Sequence, residues 1–420
     1  MDPQLNEIDE GADYIGYREA FELICSTMRP LGIEEIALES SIDRVSAEDT
    51  AAPASYPSVD VSLKDGFAVR SADVSQASGL QPASLKVVGS VFAGSEFGGQ
   101  VTSGSAVKIC SGAPIPVGAD AVVAAEFCQE ISKDKVHIRA DSESGRNILQ
   151  AGSEVKSGSV IVKESEIFLP GNMGLAAAAG ISRVRVYRRP KTAALGIGDE
   201  VVAPGETLLP GQLYASNLVT IGAWLDSFGI QYAASIVKDS AEAIKLELEK
   251  LLSEVDVIVT SGGAWGSERD LVVGTLEELG WQKIFHHVRM GPGKGIAFGR
   301  WKDKPVFCLP GGPASNETAF LQLALPGILR MAGDRRHPLP TVSARLAEDV
   351  TSRHRQWTEF KDAMVSMEAG GSYSVRPYRS RSRLQAIADA NCLLCIPEGA
   401  VSLNSGEIVP VQMLIKSCRI

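Results

Sequence analysis

The sequence predicts a multidomain chain of α/β and β class. An α/β domain with a helix-wrapped parallel sheet is preceded by a β lobe and followed by a small β-barrel-like domain. Three observations point there. The 420 residues exceed one ordinary core, so two to four domains are expected. From residue 192 to residue 331, short apolar runs alternate with helical spacings, the mark of a parallel sheet covered by helices. On either side of that stretch, strand-like runs are separated by Gly, Pro and Ser clusters.

In chain order, the spacing of Ala20, Phe21, Ile24 and Met28 predicts a helix over 17–28, ended by Pro30 and Gly32. The Pro-rich stretch 51–57 reads as a domain boundary. The clearest strands of the β lobe are 85–91, 106–110, 121–125 and 135–138. Within the lobe, 111–120 is a proline-fixed loop, with Ser111 at the end of a strand and its hydroxyl placed to donate. A short Ala-rich helix follows at 172–179. The basic run 183–191 reads more readily as a solvated edge strand than as a binding patch.

The α/β pattern then gives strands at 192–197, 230–237, 256–260, 284–288 and 305–309. Helices are expected at 216–228, 241–252, 269–279 and 314–331. Pro338 and Pro340 mark a linker to barrel strands at 344–350, 357–366, 372–377, 391–396 and 407–413.

Composition excludes some functions. A formal net charge of −10 argues against a general nucleic-acid surface or attraction to anionic lipid. The first 13 residues are acidic and polar, unlike a secretory signal. No apolar run approaches the ~20 residues needed to span a bilayer. Seven scattered cysteines fit a reducing cytoplasm. Cys392 and Cys395 form the one C-x-x-C, inside an apolar strand-like run, and read as buried structural thiols.

Ligands bind open α/β sheets beyond the carboxyl ends of the strands. Glu200, residues 261–270 and residues 310–315 all follow strand ends, so they are expected to share one crevice. Val257 to Thr260 is a buried-strand run that Ser261, Gly262 and Gly263 break, and Ser267 and Glu268 open a helical pattern. Strand, Gly turn and helix start together make an anion cradle of free N–H groups. The crevice collects Asp199, Glu200, Asp270 and Asp239, the backbone donors of Ser261 to Gly263 and of Gly311-Gly312, and Lys294 in the turn Gly291-Pro292-Gly293-Lys294. Carboxylates beside a phosphate cradle suggest Mg²⁺ bridging a phosphorylated ligand. The plainer reading is that Asp199 and Glu200 cap a helix and that Asp270 is a first-turn acid. Their common place at the ends of one sheet favours a site.

These motifs, taken in order, resemble the molybdopterin molybdenumtransferases (MoeA), a fold also seen in the C-terminal domain of gephyrin. The matching stretches begin with Asp65-Gly66-Phe67-Ala68-Val69, the run from Ser111 to Val122, Gly145-Arg146-Asn147-Ile148 and Ala151-Gly152-Ser153-Glu154. They continue with Gly198-Asp199-Glu200-Val201, Gly211-Gln212-Leu213-Tyr214 with Ser216-Asn217, Thr260-Ser261-Gly262-Gly263, Pro292-Gly293-Lys294, and Leu309-Pro310-Gly311 with Pro313. The likeness runs through nearly the whole chain.

The resemblance implies a three-layer α/β molybdopterin-binding domain at 186–335, a discontinuous N-terminal domain at 1–52 plus 144–185, an inserted β lobe at 53–143 and a C-terminal β-barrel at 336–420. It implies a cytoplasmic homodimer, with Asp65 and Ser111 of one subunit opposite Glu200 and Asp270 of the other, and contacts with other cofactor-biosynthesis proteins. The implied activity inserts molybdate into adenylated molybdopterin with release of AMP. Asp65, Ser111, Glu200, Asp270 and Lys294 would be catalytic, and Mg²⁺ would sit at Glu200 and Asp270. Ser261, Gly262, Gly263, Pro310, Gly311, Pro313 and Asp239 would bind the substrate.

The sequence departs from the family's usual pattern at several positions. Ser111 stands for a usual Thr and keeps the hydroxyl. Trp265 stands for a Ser, Gly291 for a basic residue with Arg289 close by, and Gly312 for an Asn. His287 falls near a Lys found in some members, and Asp362 takes the place of the Arg in Glu-Phe-x-Arg. Two or three lost oxyanion donors, at roughly 1–3 kcal/mol each, would weaken a site by orders of magnitude. The alternative is therefore a paralogue that binds molybdopterin, or its cofactor form, as a carrier or scaffold without inserting metal.

Overall fold

A computed structural model of the chain describes residues 14–263 and 271–414. The chain divides into two compact units, residues 35–186 and the segments on either side of them.

In residues 35–186 a six-stranded sheet runs in the order Ala121–Ala124, Gly66–Val69, Ser105–Ile109, Ala83–Val91, Lys135–Ile138, Cys128–Ser132. Alternation along the strands fills both faces. Phe67, Val69 and Val123 join Leu85, Val136 and Ile138 in one core, while Ala68, Val107, Ile109 and Val122 join Val91 and Val101 in another. A third core of Leu38, Val162, Phe168, Ala176, Val184 and Val186 gathers the helix Pro170–Ala178 and short strand pairs. The basic run is neutralised locally, since Arg183 pairs with Glu35 and Arg185 with Glu48.

The other unit holds the α/β sheet. Its strands are β1 (Lys191–Ile197), β2 (Gln231–Val237), β3 (Val257–Ser261), β4 (Gln282–His286), β6 (Ala297–Trp301) and β7 (Lys304–Leu309); β5 (Val288–Gly291) belongs to the barrel sheet. The order is β2-β1-β3-β7-β6-β4. The first four strands are parallel, as expected. β6 runs antiparallel to both its neighbours, β7 and β4, which corrects the expectation of a wholly parallel sheet. No helix separates β6 from β7. They form a hairpin through Lys302 and Asp303, both at positive φ, the backbone of a tight two-residue turn. Lys-Asp is not the Asn-Gly or Asp-Gly signature of such turns, so this strand carries little signal.

Alternation again builds the layers. Ala194, Val257, Val259, Phe307 and Leu309 face one core, with Ala20, Ile24 and Met28 of the helix Tyr17–Thr27. Ala193, Leu195, Ile258, Val306 and Cys308 face the other, with Ile244 and Leu248 of the helix Ala241–Leu251. The single helix expected over 314–331 is instead Pro313–Ala319, a π-helical turn Phe320–Ala324 and Leu325–Met331. Pro326 lacks the N–H that a continuous helix would use.

The barrel strands β8 (Thr341–Leu346), β9 (Thr358–Met367), β10 (Tyr373–Pro377), β11 (Cys392–Ile396) and β12 (Ile408–Met413) close in the order β9-β10-β8-β12-β11, with β11 returning to β9. Outside the barrel, β5 adds to β9 with Met290 beside Thr358 and Gly291 beside Glu359. Cys392 points into the barrel core and Cys395 packs against the α/β core. Three residues apart on one strand, they face opposite ways, and burial pushes them up to about 12 and about 11. Among the described residues, no helix is long and apolar enough to cross a membrane.

One ion pair ties the starts of β1 and β3. Arg188 Nη1 and Nη2 donate to the two carboxylate oxygens of Asp256 at 2.8 Å each, and Lys191 N–H donates to Oδ2 at 2.8 Å. Burial pushes the Asp256 carboxyl up, but these hydrogen bonds outweigh it and hold the group below the usual carboxylate range. A depressed carboxylate contributes stability above its unfolded value of about 3.9, and that stability is lost as pH falls through the lower folded value. Asp256→Ala should therefore destabilise by about 1 kcal/mol at pH 7, a low figure because the arginine is partly exposed. In urea melts the gap to the parent should close below about pH 4. A gap that persists unchanged at pH 2 would show that the carboxylate's charge contributes nothing.

Candidate functional site

The ends of β1, β3 and β7 meet through glycine backbone. Gly262 sits at φ +96°, and a Cβ there would lie 2.8 Å from the carbonyl oxygen of Ile197. Its N–H donates to the Leu309 carbonyl at 3.0 Å. Gly263, at φ +69°, leaves 2.6 Å between an added Cβ and Val272. A Cβ on Gly311 would lie 3.6 Å from the Gly262 Cα. Only glycine permits this turn and this approach together. The cradle expected at Ser261-Gly262-Gly263 and Pro310-Gly311 thus forms one continuous backbone surface. Pro313 opens the helix Pro313–Ala319 beside it. Trp265 and Asp270 lie outside the described residues.

Two amides lock the cradle. Asn217 Nδ2 donates to Ser261 Oγ at 3.0 Å and to the Gly311 carbonyl at 2.8 Å. Asn316 Nδ2 donates to the same Ser261 Oγ at 3.0 Å and to the Pro310 carbonyl at 2.9 Å. Asn316 is buried, and its Oδ1 has no hydrogen-bond partner among the described residues. Sequence reasoning passed over both residues as site members. Each begins or follows a helix start, where Asn is ordinarily a cap, and nothing local reveals a shared serine.

Carboxylates follow β1. Glu200 is exposed and folds back over Gly198, where a Cβ would meet its carboxylate at 2.6–2.8 Å. Asp199 Oδ1 accepts the Asp239 N–H at 3.4 Å, joining the turns after β1 and β2. Among the described residues, no three His, Cys, Asp or Glu side chains gather as a ready-made metal cluster.

In the unit 35–186, Asp65 and Ser111 come together. Asp65 Oδ1 accepts the Ser111 N–H at 2.7 Å, while the Asp65 carbonyl accepts Ala125 N–H at 2.9 Å. Both residues are exposed.

Lys294 lines a cavity of about 820 Å³ between the α/β domain and the barrel. Its turn is fixed by packing: Gly293 is at φ +114°, and an added Cβ would press on Met290 and Ala319 at 3.2–3.3 Å. Pro310, Gly312 and Ser315 form one wall of the cavity. The barrel supplies Arg353, Lys361, Arg379 and Arg383, so a chain of net negative charge collects cations here. Glu359, 5% exposed, organises the Arg353 segment and Lys361, while Arg379 pairs with Glu348. Glu359 Oε1 accepts from the N–H groups of Arg353 and His354 and from the Ser352 hydroxyl, and Oε2 accepts from Lys361 Nζ at 3.1 Å. Burial would push this carboxyl up, but the His354, Ser352 and Lys361 donors hold it below the usual range.

Three of the departures from the expected motif also lie on this cavity. Gly291, Gly312 and Asp362 all line it. An added Cβ at Gly312 meets nothing within 4 Å, and one at Gly291 makes ordinary contacts of 3.8–3.9 Å. Burial pushes the Asp362 carboxyl up. Burial likewise raises Glu317, with Asp362 adding to the rise and a hydrogen bond from Trp224 Nε1 opposing it.

Three family models match the chain: "MoeA N-terminal region (domain I and II)" over residues 15–180, "Probable molybdopterin binding domain" over 193–330, and "MoeA C-terminal region (domain IV)" over 343–414. A protein of Mycobacterium tuberculosis named molybdopterin molybdenumtransferase 2 is 31% identical over 401 residues, covering 94% of this chain and 98% of that protein. A molybdopterin molybdenumtransferase of Haemophilus influenzae is 29% identical over 386 residues, covering 91% and 94%. The crystal structure of a molybdopterin biosynthesis MoeA protein from Pyrococcus horikosii superposes with a TM-score of 0.81 at 32% identity, covering 96% of this chain and 99% of that one.

The lock on the cradle makes a ranked prediction. Asn316→Ala leaves the Pro310 carbonyl without this donor and should destabilise by roughly 1–3 kcal/mol. Asn316→Asp also removes the donor and buries a charge, so it should cost more than the alanine variant. Equal midpoints for the two variants in denaturant melts would contradict the arrangement.

Proposed function

The chain belongs to the MoeA family, and from that premise we propose that it inserts molybdate into adenylated molybdopterin with release of AMP. It is a transferase of molybdenum cofactor biosynthesis. The observation that carries the reading is the join between the glycine cradle at the ends of β3 and β7 and the cation-lined cavity, through the loop 310–315. The cradle's backbone suits phosphate, and the cavity's cations suit an oxyanion.

In this reading Ser261, Gly262, Gly263, Pro310, Gly311 and Pro313 hold the phosphorylated pterin, with Asp239 at the neighbouring strand end. Lys294 and the barrel cations hold molybdate as substrate. Glu200 and Asp270 would hold Mg²⁺. The hard-oxygen donors of Glu200, Asp199 and Asp239 suit an ion that takes one or two carboxylates beside substrate phosphates. When bound, Mg²⁺ would neutralise charge on the phosphate oxygens at the linkage to AMP. Asp65 and Ser111 form a preset pair that, as the resemblance implies, would face the α/β carboxylates of a second copy in a homodimer. The described cysteines are free, which suits a cytoplasmic protein, where other cofactor-biosynthesis proteins would supply and accept the pterin.

The missing donors at Gly291, Gly312 and Asp362 motivated the alternative of a carrier that inserts no metal. The full-length relatives, which carry the transferase name, do not favour it. Arg353, Arg379 and Arg383 supply positive charge on the same cavity.

Incubation of the purified protein with adenylated molybdopterin, Mg²⁺ and molybdate should release AMP and yield active cofactor. Glu200→Gln should slow AMP release by about 10²-fold, while Lys294→Ala should mainly raise the molybdate concentration required. No turnover at high molybdate would end the proposal.

A further inference from the structure

The cavity has an aromatic wall that the cations and carboxylates do not explain. Trp357 lines it, partly exposed, beside His354 and Tyr378. The Lys294 ammonium lies over its indole, 5.6 Å from the ring centroid, within the range of a cation–π contact. His354 and Tyr14 flank the same indole with centroids 5.0 and 5.8 Å away, tilted by 38° and 37°. Glu359 pins the segment that carries it through the N–H groups of Arg353 and His354. The ring is therefore held on a fixed loop. Across from it stands Gly291, where an added Cβ would come within 3.9 Å of Trp357 Cε3. A longer side chain at 291 would grow over the indole edge, and glycine leaves that edge uncovered.

We infer that Trp357 is the stacking platform for the heteroaromatic ring of a phosphorylated ligand. This rests on the cavity being the substrate site proposed above, and adds which residue orients the substrate there. The indole offers a planar π surface of the kind on which bases stack in nucleotide-binding grooves. An inorganic oxyanion has no ring to stack, so Trp357 favours ligands that carry one. The cavity, at about 820 Å³, has the volume usual for such ligands. Adenine and pterin share this chemistry.

Calorimetric titration of the full chain separates the sources. The probes are AMP, a phosphorylated pterin, ribose 5-phosphate and inorganic phosphate, each against the parent, Trp357→Leu and Trp357→Phe. One of the two ring ligands should bind roughly 10- to 100-fold more weakly to Trp357→Leu and nearly normally to Trp357→Phe, which identifies the ring. Ribose 5-phosphate and phosphate should bind the parent and both variants alike. Equal loss for ribose 5-phosphate and AMP would mean that Trp357 serves only to place Lys294, and would overturn the inference. So would unchanged binding of both ring ligands to Trp357→Leu, or no binding of either to the parent. If the parent turns over while ring binding ignores Trp357, the transferase reading survives and the platform does not. Ring-selective loss in a parent that releases no AMP gives the reverse.

Discussion

The contact of Gly262 backbone with the Ile197 carbonyl places most of what surrounds it. Parallel strands deliver β1, β3 and β7 to one edge with the same polarity. Their exits can approach this closely only if the middle one carries no Cβ, since a Cβ on Gly262 would lie 2.8 Å from the Ile197 carbonyl oxygen. The loop after β7 then comes to rest on Gly262 through Gly311, and Asn217 and Asn316 fasten it to Ser261. The helix that this loop opens brings Ala319 against Gly293, which sets the turn of Lys294. From that turn, β5 runs beside β9 and carries the barrel's cations to the far wall. Position is handed on by backbone and packing, so no long side chain has to find its place alone.

Polarity in the cavity follows a similar economy of structure. The chain as a whole is acidic, with a formal net charge of −10, and a cation-lined surface cannot arise from composition. It arises because one buried carboxylate, Glu359, organises the segment holding Arg353 and His354 and also fixes Lys361. Its own charge is consumed by those donors. Nearby, burial disfavours the charged forms of Asp362 and Glu317. The acids around the cavity are thus either engaged or biased towards neutrality, and they oppose an incoming anion less than their number suggests.

The layered fold was legible because alternation and helical spacing are local. Val257 to Ser261, the helix Ala241–Leu251 and the barrel run Cys392–Ile396 lie within a residue or two of where the pattern put them. The antiparallel strand β6 escaped because its hairpin with β7 uses Lys302-Asp303 rather than a glycine turn. The π-helical turn escaped because hydrophobic spacing through 320–324 is the same whether the helix is regular or widened there. At the site, Gly262, Gly263, Gly311, Lys294 and Glu200 were legible as residues that follow strand ends. Asn217, Asn316, Glu359 and Trp357 were not. Each acts through partners dozens of residues away or through a loop whose course only tertiary pairing sets, as Gly291 beside Glu359 shows.

The departures from the family's pattern take on a different meaning when placed in space. Along the chain Gly291, Gly312 and Asp362 are scattered across two domains and read as three separate losses. In the fold they line one cavity, and two of them leave room rather than a clash. Here the same surface presents Arg353, Arg379 and Arg383 from the barrel and an indole edge that glycine at 291 leaves uncovered. Gly291 and Gly312 leave the α/β wall without long side chains, and Asp362 stands on the barrel wall beside Lys361, Arg353, Arg379 and Arg383. Recognition on that wall is set by the loop that Glu359 pins, so its specificity depends on barrel residues as much as on the strand ends of the α/β sheet.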